Sequence, residues 1–291
     1  MSSLNFFCFG FGQVAKNFIN KAISENFKIN LSVTTTQETE NKKFNNIDYK
    51  NFKLIDNTFD DVLIEKIKSA DYILISIPPV KGKDIVIENF NKIISESKAK
   101  WITYLSATSV YGNHNGEWVN EESITNPTSD NGIARLNAEK KWMDLAVSKN
   151  LPLQIFRLSG IYSNHSNVLV RLKAGEAKIV NKDNHFFSRI HVEDIASILF
   201  KSLSNFKSKE IYNISDDRPA SSQEIILYGS KLLNIDKPES IEVNKINNKM
   251  LKNFYKDSKK VSNKKMKSVF TYKLKYPSYI EGLKYIRNNF I

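Results

Sequence analysis

The sequence predicts an α/β chain organised around a doubly wound parallel sheet, and two observations carry that expectation. Short apolar runs alternate with amphipathic stretches four or more times through the first half of the 291 residues, the pattern of repeated strand–helix–strand units. The composition is that of a packed globular protein, with 41% hydrophobic and 25% charged residues, too apolar for disorder. Right-handed crossovers between successive parallel strands then give the doubly wound order.

The elements follow in order along the chain. Leu4 to Phe9 reads as a buried strand, and Val14 to Ser24 as a helix with Val14, Phe18 and Ile19 inward. Ile29 to Thr34 is the second strand and Asn51 to Ile55 the third. A helix from Asp60 to Lys68 begins at the capping pair Asp60-Asp61. Tyr72 to Ile77 and Trp101 to Leu105 are strands, separated by a helix from Ile85 to Ser97. After a long loop, Gly132 to Asn150 is helical and Gln154 to Leu158 is a strand. The second half is less regular: helices at Val168 to Ala174 and Val192 to Ser204, a strand at Ile211 to Ile214, and a helix from Ser221 to Leu233. Ser221 caps that last helix, with Glu224 in its first turn. The remainder, to Ile291, is expected to form a small cap over the carboxyl ends of the strands, packed tightly because no Pro- or Gly-rich linker precedes it.

Charge and cysteine usage narrow the function classes. The 43 Lys+Arg against 31 Asp+Glu leave a net charge of +12, which would suit an anionic partner. The lysines are spread along the chain, however, and the one dense stretch, Lys256 to Lys267, reads as a solvated face. Nucleic acid is the minority reading. The single Cys8 excludes an intramolecular disulfide and a cysteine zinc site. His114, His165 and His185 fall in polar loops without ligand-like spacing, so no metal is assigned. No apolar run reaches the ~18 residues of a membrane helix, and no basic residue precedes the first apolar run as in a secretory signal. A cytoplasmic protein without a membrane partner is expected.

Gly10-Phe11-Gly12-Gln13-Val14-Ala15 stands between the first strand and the first helix. Its G-x-G-x-x-A spacing suits a dinucleotide: the first glycine permits the tight turn, the second lets backbone approach a pyrophosphate, and Ala15 lets helix and strand pack closely. The helix start offers unpaired N–H groups to the anion. A site specific for NAD usually ends the second strand in an acid that takes the ribose 2′-hydroxyl. Thr34 and Thr35 stand there instead, with Lys42 and Lys43 beyond, although Glu38 and Glu40 argue for NAD. NADP is preferred over NAD. Ser76-Ile77-Pro78-Pro79 ends the fourth strand, and Ile77, Pro78 and Pro79 pass the middle of a cofactor bound in this way. The predicted division is a Rossmann-type domain over 1–160 and a mixed region over 161–291 forming the substrate-covering cap, with 190–214 returning to the sheet.

Ser106-Ala107-Thr108-Ser109-Val110-Tyr111-Gly112 resembles the S-S-x-x-V-Y-G stretch of extended short-chain dehydrogenases/reductases. Asn126-Pro127, Arg135, Glu139 and Arg157-Leu158-Ser159-Gly160-Ile161-Tyr162 continue the resemblance. So do Phe187-Ser188-Arg189-Ile190-His191-Val192-Glu193-Asp194, Ile211-Tyr212-Asn213-Ile214, Val261-Ser262-Asn263-Lys264 and the stretch from Tyr276 to Leu283. The chain is similar throughout to the atypical branch known as NAD-dependent epimerase/dehydratase proteins. The resemblance implies a Ser or Thr, a Tyr, and a Lys four residues later as the catalytic set. Here those slots hold Ala107, flanked by Ser106 and Thr108, then Asn131 and Arg135. It implies Ser106, Arg135 and Ile161 as further cofactor contacts, with Arg135 on the nicotinamide ribose and Ser106 or Thr108 polarising a carbonyl. The missing acid/base work falls to Tyr111, Tyr162 or His191, to substrate or to water. The bland reading of both tyrosines is packing, and that of His191 is fixing the cap through buried hydrogen bonds. Arg189 is the candidate anion contact for substrate. It stands two residues before His191, whereas sugar-nucleotide epimerases more often place such an arginine four before, which weakens a nucleotide-sugar substrate. The expected function is an NAD(P)-binding oxidoreductase-like or epimerase/dehydratase-like protein acting on an unidentified small molecule. The alternative is a sensor or scaffold that binds NAD(P) without turnover.

Overall fold

A computed structural model of the chain describes residues 3–54, 59–246 and 255–291. It divides into two compact units: residues 1–106, 134–157 and 195–212 form the first, and residues 107–133, 158–194 and 213–291 the second.

The first unit is built on a mostly parallel sheet. Its strands are β1 (Leu4–Phe9), β2 (Ile29–Thr35), β3 (Glu40–Phe44), β4 (Ile47–Lys53), β5 (Tyr72–Ile75) and β6 (Trp101–Ala107). The very short β7 (Trp118–Val119) lies outside this sheet, which is completed by β8 (Leu153–Leu158) and β12 (Glu210–Ile214). The order is β12-β8-β6-β5-β1-β2-β4-β3. β1 lies between β2 and β5 in parallel register, with Phe9 opposite Thr34 and Ile75. The chain order therefore reverses beside β1, the switch point where doubly wound sheets bind ligands. The flanking helices are α1 (Gln13–Ser24), α2 (Asp61–Lys68), α3 (Ile85–Ser95) and α4 (Asp130–Lys149). They supply Leu63, Ile67, Phe90, Ile94 and Trp142 to a core with Phe7, Phe9, Ile73 and Tyr104. Both predicted caps form: Asp60 accepts from Leu63 N–H at 2.6 Å, and Ser221 accepts from Glu224 N–H at 3.0 Å.

Several boundaries differ from expectation. The strand expected from Asn51 starts at Ile47, as β4, because it pairs with β3 in an antiparallel hairpin; its expected end, Ile55, lies outside the described residues. Asn45 and Asn46, with φ of 45° and 63°, make the turn, matching the twist that a two-residue hairpin needs. The fourth strand stops at Ile75 rather than Ile77, since Pro78 and Pro79 have no N–H to continue the ladder.

The second unit carries three short parallel pairs: β7 with β14 (Lys260–Val261), β9 (Gly160–Tyr162) with β11 (Arg189–His191), and β10 (Ile179–Asn181) with β13 (Ser240–Glu242). Its core joins Leu169 of α5 (Val168–Lys173), Ile225 of α7 (Ser222–Leu233), and Leu283 and Ile286 of the helix Tyr279–Phe290. The basic stretch near the end is more committed than a solvated face. Lys259 Nζ donates to the Gly112 carbonyl at 2.8 Å, Lys260 lies 4.2 Å from the Phe186 ring centroid, and Lys267 pairs with Asp217 at 2.7 Å.

Candidate nucleotide-binding and active site

The turn after β1 separates two glycines with different duties. Gly10 has φ +86°, and a Cβ there would stand 2.8 Å from Ser76 Oγ, so glycine is required by the fold. Ser76 Oγ lies 3.0 Å from both the Phe9 and Gly10 carbonyls, and Thr34 Oγ1 accepts from Gly10 N–H at 3.1 Å. Gly12 is exposed, with ordinary extended backbone (φ −81°), and a Cβ there would meet nothing within 4 Å. It begins α1, whose start receives no side-chain cap. The N–H groups of Gln13, Val14 and Ala15 thus lack intrahelical acceptors. Phe11 packs on Phe44 and Tyr49, with centroids 5.2 and 5.3 Å away, and Val14 is buried. Both can offer only backbone to a ligand.

Thr34 is fully buried and holds the turn, which removes its hydroxyl from cofactor contact. Thr35 Oγ1 donates to Asn51 Oδ1 at 2.8 Å and accepts from Gln37 N–H at 3.1 Å. Lys53 on β4 pairs with Glu38 in the segment after β2, and Lys42 with Glu40, both on β3. Ile77 and Pro79 are half-buried and Pro78 is exposed, all in the loop after β5.

At the end of β6, Arg135 Nη1 donates to the Leu105 carbonyl at 3.1 Å, bringing the predicted ribose-binding arginine to the strand that carries Ser106. Burial lowers its pKa, against the nearby Tyr104, Glu139 and Asp84. Ser106 Oγ is buried without a hydrogen-bond partner. One turn earlier on α4, Asn131 is exposed. Beneath, Arg157 and Glu139 form a buried forked ion pair with a shortest contact of 2.7 Å. Asp84 starts α3 by accepting from Val86 and Ile87 N–H and also accepts from Trp142 Nε1 at 2.9 Å.

In the second unit, Thr108 is buried in the turn Thr108–Tyr111. Tyr111 is fully buried and its hydroxyl donates to Asn213 Oδ1 at 2.8 Å, which counts against its candidacy as a catalytic acid. His191 corrects likewise. It is fully buried, its ring centroid lies 5.0 Å from Tyr162 and 4.2 Å from Tyr276, and its Nδ1 accepts from Glu193 N–H at 3.3 Å. Burial lowers its pKa to about 4, so near neutrality it carries no proton to give beyond the one on its neutral ring. Asp194 accepts from Tyr272 Oη, Lys275 N–H and Tyr276 N–H at 2.7–3.0 Å, tying down the segment before the last helix. His185, expected in a polar loop, is buried beside Tyr255 with Nε2 2.9 Å from the Asp257 carbonyl. Ile161 and Arg189 line a cavity within this unit.

Residues 10–215 match the family model for the NAD dependent epimerase/dehydratase family. The chain belongs to this family. No curated protein sequence gives a match. Among solved structures, a conserved protein of unknown function from Silicibacter pomeroyi is similar at 28% identity over 98% of each chain, with a TM-score of 0.84. UDP-N-acetylglucosamine 4-epimerase from Bacillus cereus has 16% identity over 98% of this chain and 99% of its own, with a TM-score of 0.76. UDP-glucose 4-epimerase from Thermotoga maritima, solved with UDP-glucose, has 17% identity over 99% and 98%, also at 0.76. At those identities the epimerases share the fold. Among the described residues no helix is long and apolar enough to cross a membrane, and no His, Cys, Asp and Glu group is arranged to hold a metal.

Two features of this family member escaped the sequence. Ser76 clamps the glycine turn, yet a serine before Ile77-Pro78-Pro79 carries no signal of which carbonyl it will reach. Asp84 joins α3 to α4 through Trp142, a contact across 58 residues that no local pattern announces.

Proposed function

We propose that the chain binds a nicotinamide dinucleotide at the turn after β1 and has weak or highly specialised turnover on a small molecule. The carrying observation is the empty space at Gly12 above the uncapped start of α1: the protein itself makes no use of a bare residue there. The residues fit such a ligand. First-turn N–H groups would hold the pyrophosphate, the unpartnered Ser106 hydroxyl is free to bond it or substrate, and Arg135 would position the ribose. When bound, the dinucleotide supplies hydride exchange at the nicotinamide ring. Proton transfer is where this chain departs from the resemblance. Asn131 is an amide in the tyrosine slot, Tyr111 is buried with its hydroxyl bonded to Asn213, and His191 is buried with Nδ1 bonded and Nε2 unpartnered.

Solved neighbours that carry NAD in their descriptions include a UDP-glucuronic acid 4-epimerase and a dTDP-glucose 4,6-dehydratase. For this chain we propose a small preference for NADP, supported by the end of β2 carrying Thr34 and Thr35 where a carboxylate would select NAD. Lys42 and Lys53 are already matched by Glu40 and Glu38, so the expected ratio is below about tenfold, under ~1.4 kcal/mol. Paired calorimetric titrations with NAD and NADP at one ionic strength test both parts. Absence of binding by either removes the reading, and tighter NAD removes the preference. The burial of Tyr111 and His191 also favours a second reading, a nucleotide-binding sensor without turnover. Cofactor oxidation during a substrate screen separates the two.

A further inference from the structure

The second unit contains a cavity of about 470 Å³, within the ~300–1,000 Å³ typical of small-molecule sites. Much of its wall is apolar, with Val168 from α5, Ile225 and Ile226 from α7, and Phe187 beside β11. Arg189 also faces it. Its Nη1 donates to the Phe187 and Ala220 carbonyls at 3.0 and 3.2 Å, and its guanidinium carbon lies 4.8 Å from the Phe187 ring centroid, so the fork is fixed in place. Among the described residues no carboxylate pairs with it within 4.0 Å. Arg189 is half-buried, and a guanidinium partly withdrawn from water ordinarily has such a partner.

The carboxyl that acts on Arg189 from nearby, Asp216, attracts it through space without a direct ion pair. Asp216 sits beside the arginine in the chain fold, its N–H donating to the Arg189 carbonyl at 2.7 Å. Burial pushes its carboxyl well up, and its Oδ2 has no partner. Asn167, also in the wall, is spent: Oδ1 accepts from Leu169 and Val170 N–H, and Nδ2 donates to the Ser163 and Asn164 carbonyls. Arg189 is the cation fixed by hydrogen bonds beside these aliphatic side chains, and the exposed Arg171, Glu176 and Lys178 also line the cavity.

We propose that this cavity binds an organic anion with one acidic head on Arg189 and an apolar body against Val168, Ile225 and Ile226. A nucleotide sugar would set hydroxyls against aliphatic carbon, and burying them unpaired is unfavourable. The inference rests on the reading of the chain as a family member that binds a small molecule, and it is independent of the nucleotide turn.

The test is calorimetric titration of the full chain with hexanoate, octanoate and decanoate, with and without NAD, beside inorganic phosphate and UDP. The carboxylates should tighten by up to about fourfold per methylene, with octanoate well ahead of phosphate and UDP. Arg189→Gln should weaken octanoate at least tenfold. Because Arg189 also holds two carbonyls, Ser222→Phe gives a second arm: it fills the wall, leaves Arg189 in place, and should abolish octanoate binding in a protein of unchanged melting temperature. Gly12→Asp should bind octanoate like the parent. A flat chain-length series, UDP or phosphate binding more tightly than octanoate, or full binding by a folded Ser222→Phe protein would overturn the proposal. Binding of NAD without octanoate would overturn it alone and leave the dinucleotide reading standing.

Discussion

Substituting the two turn glycines in parallel separates what the fold needs from what the ligand needs. At Gly10 an alanine would sit at φ +86°, its methyl 2.8 Å from Ser76 Oγ and 3.0 Å from Ile77 Cγ1. Left-handed backbone costs an ordinary residue about 1–2 kcal/mol, and the crowding adds about 1–3 kcal/mol. Gly10→Ala should therefore destabilise the chain by about 2–5 kcal/mol, read as an earlier urea transition. At Gly12 the backbone is extended and the Cβ direction is empty. Gly12→Asp should leave stability unchanged or raise it by a few tenths of a kcal/mol, since aspartate is a good helix start. The same carboxylate would occupy the N–H groups that a pyrophosphate needs and repel it. Losing a single charge-assisted hydrogen bond costs about 1.5–3 kcal/mol, so calorimetry should show dinucleotide affinity down by roughly a hundredfold or more. A Gly12→Asp protein that binds like the parent, or that unfolds as early as Gly10→Ala, would refute the assignment of separate duties.

Glu139→Gln leaves the Arg157 cation buried without its counter-charge, and should cost about 3–5 kcal/mol, measured by urea unfolding. His191 makes stability depend on pH. Its folded pKa, about 4, lies below the ordinary 6.5, so the unfolded chain binds the proton first on acidification. Its contribution is intact above about pH 6.5 and lost progressively towards pH 4, by about 3 kcal/mol. Burial raises the carboxyls of Asp194 and Asp216, an effect of opposite sign that cancels when parent and His191→Gln are compared; equal pH profiles for the two would refute the histidine term. Ala107→Ser, Asn131→Tyr and Arg135→Lys together should raise carbonyl reduction at least tenfold, since general acid catalysis is worth about 10²–10⁴ in rate. Rapid turnover by the parent, unaffected by replacing Tyr111, Tyr162 and His191 in turn, would sink the account of a missing acid.

The sequence by itself determined the parts whose signal is local. Alternating apolar runs fixed β1, α1, β5 and β6 to within two residues or so, because period and side-chain size are read from neighbours in the chain. The glycine spacing marked the turn after β1, and Asp60 and Ser221 marked helix starts, each through a bond to a residue three positions away. Tertiary structure decided what those residues do. Thr34 looked like a ribose contact until Gly10 N–H took its hydroxyl, and His191 looked available until Tyr162 and Tyr276 closed over it. Arg189 was legible as an anion contact, but its lack of a carboxylate partner is a property of chain segments far apart in sequence. Burial and hydrogen-bond partnership are set by such distant segments, and they decide which polar side chain is free to meet a ligand.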